Sequence, residues 1–116
     1  MFVHYWNTLF TGLFFKTIEE FEGTPNVLVT CHIENFTSWD ELEIAKNARE
    51  AAYLESKGMT SSNLGDAVSI LGIIKEMYAE IQLSFNVLNC KDEGSYICSV
   101  DGRSQRETDV IVKSKY

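Results

Sequence analysis

Proline is nearly absent from this chain of 116 residues: there is one, beside seven glycines. That excludes collagen-like and proline-rich low-complexity character. Bases are scarce too. Ten Lys and Arg stand against seventeen Asp and Glu, for a net charge of −7. So acidic a chain is a poor candidate for gripping a nucleic-acid backbone or an anionic membrane surface. It carries no apolar run of about 18 residues, the minimum for a transmembrane helix. The patterns G-x-S-x-G, H-E-x-x-H and G-x-G-x-x-G are missing, as is a P-loop. No catalytic residue and no cofactor are therefore expected. There are two histidines. His4 and His32 lie far apart and lack a third ligand at metal spacing, so no metal site is expected, and His32 reads as an exposed strand residue. Three cysteines are too few for a disulfide-dense scaffold but enough for one bridge and a leftover thiol.

Apolar residues make up 45% and charged residues 23%, ordinary globular usage that supports one packed domain rather than a disordered chain. Residues 1–16 form an aromatic, apolar opening. It lacks the basic start and small-residue cleavage site of a signal peptide. A degenerate or cropped signal, a first strand and the start of an incomplete gene product all remain open for it. After Gly23-Thr24-Pro25, residues 26–34 alternate: Val27, Val29, Cys31 and Ile33 share one face, which predicts a half-buried strand. Residues 80–87 alternate more cleanly, with Ile81, Leu83, Phe85 and Val87 on one side. Tyr96, Cys98 and Val100 repeat the pattern. Asp101-Gly102 then reads as a hairpin turn, and residues 108–113 as a closing strand. Three such strands in succession suggest an antiparallel meander. The middle is ambiguous. Residues 41–56 are rich in Ala, Glu, Lys and Leu and read as a helix on propensity alone. Residues 67–77 fit either a strand or a buried helical turn. Glu19-Glu20 and Glu41/Glu43 read as solvated acidic faces.

The informative stretch is L-S-F-N-V-L-N-C-K-D-E-G-S-Y-I-C, residues 83–98. Leu83 and Phe85 fill a core face and Leu88 covers its end. Asp92 can bind neighbouring backbone N–H groups or a cation across the turn, Gly94 permits a tight backbone, and Tyr96 can bury its ring while its hydroxyl bonds back to the corner. Asp92, Gly94, Tyr96 and Cys98 at D-x-G-x-Y-x-C spacing resemble the corner between strands E and F of immunoglobulin-superfamily domains, where a tyrosine lies two residues before the second sheet-bridging cysteine. The resemblance implies an all-β, immunoglobulin-like sandwich of two antiparallel sheets. It implies a disulfide from Cys98 to a cysteine on strand B, which is Cys31. The length of the intervening chain suits a variable-type or long intermediate domain. By loop entropy such a crosslink contributes about 4 kcal/mol.

One feature departs from that family. Its strand C usually carries a tryptophan packed on the disulfide. Here Trp39 comes too early and Ile44 stands in the expected place, so either Ile44 fills the space or Trp39 reaches it from the loop. That missing tryptophan, the charged middle and the firm corner resemble the Ig-like domains of molluscan fibrinogen-related lectins, secreted defence proteins. The resemblance also suggests Lys75 as a partner for Asp92. Cys90, the odd cysteine, could pair with another chain, stay a free thiol or replace Cys98 in the bridge. Asn35-Phe36-Thr37 is a glycosylation sequon, with Asn35 as acceptor if the chain is secreted.

The expectation is one Ig-like domain over residues 17–113, an uncertain segment at 1–16 and a chain end at 114–116. Strands are expected at 17–22, 27–34, 42–46, 81–87, 95–100 and 108–113, with a short helical insertion possible between strands C and E. The implied function is a non-enzymatic, secreted or extracellular recognition or adhesion module, possible in innate immunity. Its ligand would be a protein or a glycan, not nucleic acid, and no part of it would insert into a membrane. The loops at 35–39 and 101–106 are candidates for binding by position. A dimer could form through an edge strand or Cys90. Two alternatives stand: a spacer or truncated fragment without a ligand, and an intracellular α+β protein whose middle segments are helices.

Overall fold

The computed structural model describes residues 12–36 and 38–114. Among these residues, ten strands form two sheets. The first sheet takes β1 (Gly12–Phe15), β3 (Pro25–Glu34), β8 (Tyr78–Val87) and β7 (Val68–Ile74), in that spatial order. The second runs β2 (Ile18–Phe21), β10 (Ser104–Lys113), β9 (Gly94–Val100), β4 (Glu41–Lys46), β5 (Arg49–Glu55) and β6 (Thr60–Ser62). The chain changes sheets between Phe15 and Ile18, so one N-terminal stretch edges both sheets.

Alternation decides which side chains meet between the sheets, because successive strand residues point to opposite faces. From the first sheet come Val29, Cys31, Ile33, Ile81, Leu83 and Phe85; from the second come Leu42, Ile44, Leu54, Tyr96, Cys98 and Val110. All are essentially inaccessible to water. Leu88, just beyond β8, closes one end of this core. Its N–H donates to the Thr24 carbonyl at 2.9 Å.

Four expectations need correcting. The strand expected at 42–46 is β4, but the helix that propensity alone suggests over 41–56 is absent. Its residues form the β4–β5 hairpin, turning at Asn47 and Ala48 with φ of 50° and 69°. Two central residues with positive φ give the turn whose twist matches the flanking strands, and Leu42, Ile44, Ala52 and Leu54 then face the core. Within residues 67–77, Val68–Ile74 form β7, and no helical insertion follows β4. Among the described residues the sole helical element is a single 3-10 turn, Cys90–Asp92. The α+β alternative therefore loses its basis. The C-terminal meander is also absent: β8 pairs with β3 and β7 in one sheet, while β9 pairs with β10 and β4 in the other. Finally, the sheets are not wholly antiparallel, since β2 pairs with β10 in parallel. The expected strand at 17–22 is β2, and residues 12–15 of the opening segment form β1; residues 1–11, and so the signal-peptide reading, lie outside the described residues.

Candidate functional site

The corner is built by the chain around the 3-10 turn. Tyr96 is fully buried, and its hydroxyl donates to the Asp92 carbonyl oxygen at 2.7 Å. Burial, and then the nearby Asp92 charge, push the Tyr96 pKa far up, so the phenol stays a donor. The buried Asp92 carboxylate accepts from the Asn89 N–H at 2.9 Å, while Asn89 Oδ1 accepts from the Lys91 N–H at 3.0 Å. This reciprocal cap satisfies the donors that a helical turn leaves open. Lys75 is not the partner of Asp92. It sits in the β7–β8 hairpin, its N–H donating to the Tyr78 carbonyl, at the other end of the ten-residue β8. Gly94 is required by close approach: a Cβ there would lie 2.9 Å from Asn47 Oδ1, which accepts from the Ser95 N–H at 3.1 Å.

Cys31 and Cys98 form a disulfide across the core, with Cα atoms 6.3 Å apart. Ile44 lies directly opposite Cys98 in the β4–β9 ladder and is fully buried. Ile44 thus takes the central place beside the bridge, while the half-buried Trp39 packs at the margin of the core. Cys90 is exposed and unbridged. Its thiol lies 3.2 Å from Glu22 Oε2, and that hydrogen bond, with the glutamate's charge, raises its pKa. The thiol is therefore held protonated, the less nucleophilic form. Of the sequon, Asn35 follows β3 with φ of 60°, its N–H donating to the Met77 carbonyl at 3.0 Å; Thr37 lies outside the described residues.

The loops flagged by position meet at one end of the sandwich. Asp101 and Gly102 turn with φ of 53° and 70°. The Asp101 carboxylate accepts from the N–H groups of Asp40 at 2.9 Å and Glu41 at 2.8 Å. Burial opposes its charge, but these two donors and Arg103 outweigh that and hold its pKa below the usual range. The β9–β10 turn is thereby locked to the start of β4.

A surface of which the sequence showed only the Glu41/Glu43 pair is the outer face of the six-stranded sheet. Ladder register puts Ser95, Ile97 and Ser99 of β9 at its centre, facing away from the core. Carboxylates surround them: Glu41 and Glu43 on β4, Glu50 and Glu55 on β5, Glu107 and Asp109 on β10. Two of these carboxylates are shifted. Burial raises the Glu41 pKa first, then the charges of Glu50, Glu55 and Asp101. Burial also leads for Glu43, followed by a hydrogen bond with Glu50. Lys113 lies at the far edge, 3.7 Å from Glu19 and over the Phe21 ring at 4.4 Å.

His32 differs from expectation as well. Its side chain is only 22% exposed, and both ring nitrogens are engaged, Nδ1 with Glu80 at 2.8 Å and Nε2 with Glu34 at 2.9 Å. Among the described residues no group of three His, Cys, Asp or Glu side chains is arranged to hold a metal ion, and no helix is long and apolar enough to cross a membrane. Compared with known proteins, the chain matches no family model and no curated relative.

Proposed function

We propose that this chain is a variable-type immunoglobulin-like domain acting as an extracellular, non-enzymatic recognition module, with a cationic protein as its ligand. The fold reading is supported by two strand orders. β1-β3-β8-β7 and β2-β10-β9-β4-β5-β6 correspond to A-B-E-D and to A′-G-F-C-C′-C″ in variable-type sandwiches. The Tyr96 corner and the Cys31–Cys98 bridge fall where that family has them. A structural disulfide favours an oxidising compartment.

The observation that carries the ligand class is the crowding of carboxylates on this face by ladder register, where burial first and neighbouring carboxylates after it raise the pKa of Glu41 and Glu43. Lys and Arg side chains docking there relieve that repulsion, around a small, neutral centre at Ser95, Ile97 and Ser99. A neutral glycan brings no positive charge to pair with these carboxylates, so a protein is favoured. The test is a binding screen of the secreted full chain against cell-surface and secreted proteins, repeated with Glu41→Gln, Glu43→Gln and Glu55→Gln combined. Ligands of this face weaken with rising salt and lose affinity for the triple variant. Saturable binders that ignore both salt and the substitutions would refute the surface. Reduced Cys31 and Cys98 in folded, secreted protein would refute the compartment.

A further inference from the structure

The outer face of the four-stranded sheet has a different character, and it is complementary to itself. One row across it reads Phe14, His32, Glu80, Ile73, from β1 through β3 and β8 to β7. That row is apolar, imidazole, carboxylate, apolar. A two-fold axis parallel to the strands, midway between β3 and β8, lays the row on its own reverse. Phe14 of one copy then meets Ile73 of the other, and His32 meets Glu80. The next row places Thr30 over Gln82 of the second copy, two groups able to hydrogen-bond. We propose that this face is the interface of a homodimer with that symmetry.

Three observations support a second copy as the occupant. First, apolar side chains stand out of the face at opposite edges: Phe14 is 43% and Leu28 48% exposed beside β1 and β3, and Leu71 is 55% exposed on β7. A groove of about 480 Å³ lies among Phe14, Lys16, Leu28 and Thr30, and the same rotation carries Leu71 of the partner copy onto it. An isologous contact needs this pairing of a projection and a recess on one patch. Second, charge permits it. The face has His32 tied to Glu34 and Glu80, whereas the other sheet's outer face would set carboxylate against carboxylate in a chain of net charge −7. Third, the size suits a reversible pair. Strands of 4, 10, 10 and 7 residues, at about 3.4 Å per residue and about 4.8 Å apart, cover roughly 500 Å² per copy. Pairing removes roughly 1,000 Å² from water, at the lower limit expected of a specific interface.

The test is sedimentation equilibrium of the full chain with and without reductant, for the wild type, Phe14→Lys and Ile73→Glu. The wild type is expected to dimerise reversibly in both conditions. Each variant is expected to associate at least about ten-fold more weakly, the effect of losing one buried anchor. Mixing the two variants is expected to restore dimers, because the ammonium introduced on one chain then faces the carboxylate introduced on the other. Circular dichroism confirms that each variant remains folded. A wild type monomeric at about 100 μM, two orders above a micromolar affinity, would overturn the proposal. So would a dimer abolished by reductant, which assigns it to Cys90, or one that neither variant weakens.

Discussion

The corner hydrogen bond yields the sharpest prediction. Tyr96→Phe removes one oxygen and leaves the ring in place. In the wild type that oxygen donates to the Asp92 carbonyl at 2.7 Å, inside a corner where Tyr96 has no exposure. A net hydrogen bond contributes about 1 kcal/mol, and leaving a buried acceptor unpaired costs about 1–3 kcal/mol. Water reaches a corner more readily than a core, so we take the lower half of that range, about 1–2 kcal/mol. Unfolding entropy near 2.1 cal/mol/K per residue converts this to a fall in Tm of about 4–8 °C for a chain of this size. The assay is urea and thermal unfolding of purified, oxidised protein followed by circular dichroism. The midpoint should fall while the denaturant slope stays constant. Tyr53→Phe is the control. Tyr53 lies on the outer face of β5, where loss of a hydroxyl should change stability by less than about 0.5 kcal/mol. Equal effects at the two sites, or no effect at Tyr96, would refute the corner as a stabilising device.

Three further outcomes are expected. Replacing Cys31 and Cys98 together by Ala should cost about 4 kcal/mol, read as a drop in urea midpoint; a loss under about 1 kcal/mol would mean the bridge constrains little. Ile44→Ala should cost about 2–5 kcal/mol by opening a cavity beside the bridge, and a smaller loss in equilibrium unfolding would show that Trp39 collapses into the space. Glu43→Gln should stabilise the protein at neutral pH. The Glu43 pKa is raised above 4.5 by burial and then by its bond to Glu50. A raised folded pKa gives stability that is present below the unfolded value and lost as pH climbs through the folded one. The variant's advantage in urea midpoint should therefore be present at pH 7 and vanish below pH 4.5; an advantage independent of pH contradicts this origin.

The legible parts of the sequence were those in which one face is buried and turns punctuate the pattern. Val27 to Ile33 and Ile81 to Phe85 alternate without a break, and a slip of one residue would turn every apolar group to solvent. The corner was legible because Asp92 and Tyr96 bond within a few residues of one another, whereas Gly94 is required by the distant Asn47 rather than by a tight local backbone. The β4–β5 hairpin was not. Helix propensity among Ala, Glu, Lys and Leu differs by only tenths of a kcal/mol per residue, while burying a side chain such as Leu42, Ile44 or Leu54 is worth about 1.5–3 kcal/mol. Tertiary burial therefore overrides local preference, and the positive φ of Asn47 and Ala48 records where the chain yields to it. The extent of the acidic face was hidden for a related reason. Glu41 and Glu43 stand two residues apart, which places them on one side of a strand, and that pair was legible. Glu50, Glu55, Glu107 and Asp109 join it only through ladder pairing between segments distant in the chain, which local spacing does not record.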